Sequence, residues 1–317
     1  MSHADSTLLH LCHTTRYRYA SRVDFAHHVL HLQPRNMPGQ KVQRFTLTID
    51  PEPANCRASF DYFGNRQHHM SLQGPHQALQ VISHSIVELT PRFAQLDEDS
   101  SPAWESVRDG LLYHAGAAYP AHGEFSLPSH FVPTHDEFRR YALQAFTPQR
   151  PLLGGAIRLM AQMYQDFCYA TASTDINTPA LEAFRARRGV CQDFAHIMLA
   201  CLRSIGLAAR YVSGYLLTEP PPGQPRLLGA DASHAWVSVY CPHHGWVEFD
   251  PTNNLIPDSK HVVIGYGRDY ADVPPLRGVI HGGGAHTLEV EVSVVPAHDS
   301  LAQHLAAHHA IITGNLA

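Results

Sequence analysis

Residues 194–206 constrain the fold more tightly than any other stretch of the chain. Phe194, Ile197, Met198, Cys201, Leu202 and Ile205 fall at offsets 0, 3, 4, 7, 8 and 11, one stripe of an amphipathic α-helix, and Gly206 supplies its C-terminal stop. The run before it, Arg187-Arg188-Gly189-Val190-Cys191, sets a cysteine in the first helical turn. A helix start favours an anion through its dipole and offers unpaired backbone N–H groups. Thiolate is the reactive form of cysteine, and such a position encourages it. The same N–H groups suit the oxyanion of a tetrahedral intermediate. Gly189 is expected to ease the turn into the helix. Position alone leaves Cys191 balanced between a nucleophile and a buried small hydrophobe.

The strands downstream shift that balance. In 234–240, His234, Trp236, Ser238 and Tyr240 share one face, and Ala235, Val237 and Val239 the other. In 246–250, Trp246, Glu248 and Asp250 share a face opposite Val247 and Phe249. Matching the apolar faces sets Tyr240 opposite Trp246 and Trp236 opposite Asp250, with Cys241–Gly245 as the hairpin loop. His234 then lies diagonal to Asp250 at roughly 7–8 Å, within side-chain reach. A thiol, an imidazole and a carboxylate brought together form a nucleophile, a general base and its orienter.

Other histidines are weaker candidates. His196 stands five residues from Cys191, more than one helical turn, and reads as a packing residue. Asp193 reads as a helix stabiliser in the first turn. Asp231 and Ser233 either support His234 or shape the start of its strand. Trp236 reads as core, and Arg268 with Asp269 as a structural ion pair. The His-His pairs 27–28, 68–69, 243–244 and 308–309 have no acidic or cysteine partner at ligand spacing, so no metal and no cofactor is expected. His243 and His244 read as exposed turn residues.

Upstream, 8–19, 28–32, 44–50, 58–62, 69–72 and 79–89 are short, partly alternating runs separated by Pro, Gly and Asn, the pattern of an antiparallel sandwich or meander. Helical spacing appears around 104–114, 136–146 and 152–169, with Thr178 as the N-cap of another helix. Strands are expected at 208–217 and 286–295, and a helix at 300–312. The fold class is therefore α+β: a β-rich domain at 1–92, a connector with helices at 93–150, a catalytic core at 151–280, and a strand and helix at 281–317 completing the fold.

With 44% apolar and 16% charged residues, the chain suits a compact globular protein. A net charge of −5 without a basic run argues against nucleic acid. No apolar stretch spans a bilayer and the N-terminus is polar, so a cytoplasmic protein without a membrane partner is expected. The six cysteines form no Cys-x-x-Cys pair, which signals neither a compact zinc site nor a redox dithiol. The 25 histidines imply a strong charge change between about pH 7 and 5.

Residues 187–253 resemble the core of the transglutaminase-like superfamily, whose fold is related to that of papain-like cysteine proteases. The matching pieces are Gly-Val-Cys-Gln-Asp-Phe-Ala (189–195), Gly-Leu-Ala-Ala-Arg-Tyr-Val-Ser-Gly-Tyr (206–215), Ser-His-Ala-Trp-Val (233–237) and Gly-Trp-Val-Glu-Phe-Asp-Pro-Thr-Asn (245–253). The resemblance extends to 265–278 and to the β-rich N-terminal domain of bacterial members. It implies Cys191 as nucleophile, His234 as base and Asp250 as orienting carboxylate, with a peptide or protein amide as substrate. The expected reaction is hydrolysis through a thioester. Amine transfer to protein glutamine, or a non-catalytic binding module, are the alternatives. Calcium dependence is not expected, because no acidic loop of that character is present.

Overall fold

Strand β1 (Thr7–Leu30) runs for 24 residues and carries the N-terminal half of the molecule. In the computed structural model, residues 6–302 and 305 are described, apart from 114, 117, 172, 220–225 and 230. β1 pairs antiparallel with another 24-residue strand, β4 (Arg66–Leu89); β2 (Gln40–Asp50) and β3 (Asn55–Phe60) line the outer side of β4. The runs 8–19 and 28–32 are thus one strand, as are 69–72 and 79–89. The physical reason is irregular pairing between Arg18 and Phe25. Buried positions are Leu9, Leu11 and His13 before it, and Ala26, His28 and Leu30 after it, so the alternation changes phase. A sequence pattern that loses phase looks like two strands. The sheet bends there, and its ends pack on each other: Leu79, Val81 and Ile49 meet Val23, Leu30, Met70 and Leu72. A sandwich-like body results from one folded sheet.

The helical layer comprises α1 (Trp104–Gly110), α2 (Asp136–Ala145), α3 (Leu152–Asp166), α4 (Ala180–Ala186) and α5 (Cys191–Ser204). Two-residue strands β5 (Cys168–Tyr169) and β6 (Arg188–Gly189) pair parallel ahead of α5. α4 starts one turn position later than expected, with Pro179 as its cap, while Thr178 Oγ1 accepts from the Asp175 N–H. α5 is buried all round from Asp193 to Arg203, not along one stripe, because helices and a sheet enclose it. It ends as the glycine predicts: Gly206 has φ +83°, and the N–H groups of Gly206 and Leu207 close on the Arg203 and Leu202 carbonyls.

The second sheet has the order β10-β7-β8-β9, all antiparallel, from β7 (Ala209–Leu216), β8 (Ser233–Cys241), β9 (Gly245–Phe249) and β10 (His261–Gly267). β10 was not foreseen. It is buried along its whole length, and a bulge between Val263 and Gly265 removes the alternation that would reveal a strand. The last strands, β11 (Leu276–Gly282) and β12 (His286–Pro296), return to the first sheet and pair with β1. Ser300–Ala302 are helical; most of the helix expected at 300–312 lies outside the described residues.

The two sheets share an apolar junction in which Leu9, Leu11, Val87 and Leu89 meet Tyr215, Leu217, Val262 and Ile264. Side-chain amides close the open edge of β10. Gln40 donates to the Val263 carbonyl and accepts from its N–H, both at 2.8 Å. Asn65 does the same for Tyr266, at 2.7 and 2.8 Å. Unpaired strand edges invite aggregation, and these two residues cover this one from within the chain. The junction also buries His13, whose Nδ1 lies 2.7 Å from the Tyr215 hydroxyl. Burial pushes His13 and His28 down to about 4, so neither takes part in the charge change expected above pH 5. Among the described residues, no helix is long and apolar enough to cross a membrane.

Candidate active site

The β8–β9 hairpin has the register read from its alternation: Tyr240 pairs with Trp246 and Val237 with Phe249. Cys241 and Gly245 also pair, so the loop proper is Pro242–His244, closed by Gly245 at φ +69°. His243 and His244 are exposed there. The register carries His234 and Asp250 to one end of the same face. His234 Nε2 lies 2.7 Å from Asp250 Oδ2. A carboxylate only accepts, so this nitrogen carries the proton and Nδ1 is left for another partner.

The thiol of Cys191, at the start of α5 and half-buried, stands beside this imidazole, close enough to act on its charge. Its Sγ lies 3.9 Å from the Ser233 carbonyl oxygen, one residue from His234. Burial disfavours the imidazolium, but hydrogen bonds and charge from Asp250 and Cys191 outweigh it and raise His234 to about 10. Burial would likewise raise Asp250, yet the hydrogen bonds and charges of His234 and His261 hold its carboxyl well below the usual range.

The start of α5 is built by Asp193. Its Oδ2 accepts from the Val190 N–H at 2.8 Å and from Thr174 Oγ1 at 2.7 Å, the carboxylate half of a capping box. Gly189 is needed for space, since a Cβ there would come within 2.6 Å of the Asp193 side chain. The expectation that it serves the turn itself is replaced by this close approach.

Two residues escaped the sequence reading. His261 on β10 is buried and sets its Nε2 3.1 Å from the same Asp250 Oδ2. Asn253 donates to that oxygen from Nδ2 at 2.8 Å, while the N–H groups of Thr252 and Asn253 reach Oδ1. Asp250 therefore accepts from five donors. The Asp-Pro-Thr-Asn sequence carries the signal of an Asx turn, which would have found Asn253. His261 had no such signal, because its strand was not read. His234, Asp250 and His261 are also the one group among the described residues with ligand atoms close enough to hold a metal ion. Each Nε2 there is engaged by the carboxylate as a hydrogen-bond donor.

The remaining candidates fall elsewhere. His196 is buried, stacks on Phe131 at 5.3 Å, and accepts from the Tyr270 N–H at Nε2. Burial pushes it to about 3, which keeps it neutral. Asp231 accepts from the Val294 N–H at 2.9 Å and ties the start of β8 to β12. Arg268 pairs with Asp272 at 2.9 Å, not with Asp269, because Asp269 accepts from the Phe131 and Ala271 N–H groups. Trp236 is fully buried, as expected. Its Nε1 donates to Glu248 at 2.8 Å, and its ring stacks on His234 with centroids 5.8 Å apart.

Comparison with known proteins agrees with this architecture. Residues 9–88 match the bacterial transglutaminase-like N-terminal region, and residues 140–251 match the transglutaminase-like superfamily. Uncharacterized proteins of Mycobacterium bovis and Mycobacterium tuberculosis are 43% identical over 292 residues, covering 90% of this chain and 91% of theirs. A protein-glutamine gamma-glutamyltransferase of Pseudomonas aeruginosa is 32% identical over 134 residues, 38% of this chain and 20% of that one. The solved structure of a candidate cysteine protease from Cytophaga hutchinsonii superposes with a TM-score of 0.71 at 19% identity, covering 93% of this chain and 92% of that one. The chain belongs to the transglutaminase-like superfamily, in its bacterial form with a β-rich N-terminal region.

Proposed function

We propose that the protein is a cysteine-dependent acyl-transfer enzyme that hydrolyses a peptide or protein amide through a thioester on Cys191. The observation that carries this reading is the chain of contacts from thiol to imidazole to carboxylate, with the thiol at a helix N-terminus. His234 Nδ1 takes the proton of Cys191, and Asp250 holds the ring and stabilises the resulting imidazolium. The sulfur attacks the amide carbonyl and a C–S bond forms. N–H groups of the first turn of α5 would receive the oxyanion. As the C–N bond breaks, His234 returns its proton to the departing amine. A water molecule, deprotonated by His234, then attacks the thioester, the C–S bond breaks, and acid and thiolate are released. Hydrolysis is favoured over amine transfer because the sequence marks no second, amine-binding site.

The segment similar to the gamma-glutamyltransferase supports a second reading, in which a primary amine takes the acyl group. The test has two parts. Cys191 should be alkylated by iodoacetamide near neutral pH at least tenfold faster than an ordinary thiol, and His234→Ala should remove that advantage. Labelling no faster than glutathione would sink the enzyme reading. Incubation with glutamine-containing peptides, with and without a primary amine, then separates the two acceptors by mass spectrometry. Amine-coupled product alone would replace hydrolysis with transfer.

A further inference from the structure

A cleft of about 630 Å³ lies on the face of the second sheet that carries His234, between residues 35–39, residues 90–93 and strands β7, β9 and β10. Its size is that of a small-molecule site. Three guanidinium groups line it, those of Arg35, Arg92 and Arg210, and one carboxylate, that of Glu248. The carboxylate is fully engaged. Arg92 grips both its oxygens at 2.6 and 2.8 Å, Trp236 Nε1 donates at 2.8 Å, and the Tyr266 hydroxyl at 3.2 Å. Arg35 is held by neutral acceptors, the Phe63 carbonyl and Asn65 Oδ1. Arg210 lies between the rings of Trp246 and Tyr266, 4.2 and 3.4 Å from their centroids, and its buried Nε has no acceptor. Arg35 Nε is buried and without an acceptor as well. Burial, and the facing Arg35 and Arg92, pull Arg210 down to about 10 against the opposite pull of Tyr266 and Glu248.

A half-enclosed cavity lined by more guanidinium than carboxylate charge is poor as a structural solution and good as a receptor. Gly39, at φ +79°, is shaped to this end: Arg92 Cγ stands 2.2 Å from where its Cβ would be, so only glycine lets the arginine pass into the cleft. The walls also include Met37, Phe93 and Trp246, which suit a carbon body.

We propose that this cleft binds a small organic dianion, a phosphate monoester or a dicarboxylate, with its charge on Arg35 and Arg210 and its carbon body against Trp246. Binding here is independent of the chemistry at Cys191, so the test uses binding alone. Glycerol 3-phosphate and succinate are titrated separately into the full chain by calorimetry, against sodium chloride at matched ionic strength. One of them should bind with a Kd of about 1 mM or tighter. Arg210→Met should weaken that binding at least tenfold with an unchanged near-ultraviolet circular dichroism spectrum, and Arg210→Lys, which keeps the charge but loses the fork, should fall between. Which anion binds identifies the head group. No heat beyond chloride with either anion at 10 mM, or equal binding by wild type and both variants, would overturn the proposal.

Discussion

The two faces of the β7–β10 sheet are built on opposite plans. Toward α5, the sheet presents Ala235, Val237, Val239, Val247 and Phe249, all part of one apolar cluster with the helices. The other face carries Arg210, His234, Trp236, Ser238, Glu248 and Asp250, and most of it is just as inaccessible to water: Ser238 and Asp250 are 0% exposed and Glu248 1%. An apolar face gains from burial with little regard to orientation. A buried polar face costs free energy for each group left without a partner, as Ser238 Oγ and Arg210 Nε are, so most of its groups must be paired in the correct direction. The difference separates two jobs, since the first face decides whether the core forms and the second decides where an imidazole and its carboxylate point.

This contrast can be broken experimentally, starting with the largest effect. Cys191→Ala stands outside both faces and should reduce acyl-enzyme turnover to background, a loss of about 10⁴-fold or more by analogy with other triads, while its Tm stays within 2 °C or so. Residual turnover above a tenth of wild type would exclude the thiol as nucleophile. On the apolar face, Phe249→Ala should cost about 3–5 kcal/mol in urea unfolding without altering the pH dependence of labelling at Cys191. A cost under 1 kcal/mol would mean that this face does not hold the core. On the polar face, Glu248→Ala strands the Arg92 guanidinium and should cost roughly 3 kcal/mol, and Glu248→Gln less. If both variants are as stable as wild type, the Glu248–Arg92 pair carries no stability.

Two smaller effects sharpen the comparison. His261→Leu removes one donor from Asp250, so the carboxyl should be less depressed, and the acid limb of the activity profile should move to higher pH with a fall in kcat of about tenfold. An unmoved acid limb would reduce His261 to packing. The His234–Asp250 pair also gives the polar face a pH signature. His234 is raised to about 10 in the folded chain, so its stabilisation is complete below the unfolded value of about 6.5 and is lost as pH rises through 10. The stability difference between wild type and His234→Gln, about 1–3 kcal/mol at pH 6, should vanish by pH 10.5, whereas the Phe249→Ala cost stays flat. A difference that persists at pH 10.5 would show that the pair does not titrate as a unit.

What could be read from the sequence follows the same division. The apolar stripe of α5 and the β8–β9 register were legible because both depend on uninterrupted periods bounded by glycine, at Gly206 and Gly245. Phase, once intact, places His234 and Asp250 on a face without any knowledge of the rest of the chain. Where the period breaks, the signal fails. The irregular pairing at Arg18–Phe25 split β1 into two apparent strands, and the bulge at Val263–Gly265 concealed β10 and with it His261. The arginine cleft was illegible for another reason. Its residues come from positions 35, 92, 210 and 248, and no local spacing relates them.

The pairing of β1 with both β11 and β12 has a consequence for how the protein comes off the ribosome. β1 is made well before the strands on one of its sides, which begin at Leu276 and His286. With synthesis at roughly 5–20 residues per second, that side of β1 waits on the order of 10–50 s for its neighbours. During that interval the nascent chain exposes a long strand edge that can recruit the same edge of another copy, and contacts so distant in sequence also slow folding after release. Chains cut short before β11 should therefore accumulate in inclusion bodies, even though every residue of Cys191, His234 and Asp250 has already been translated.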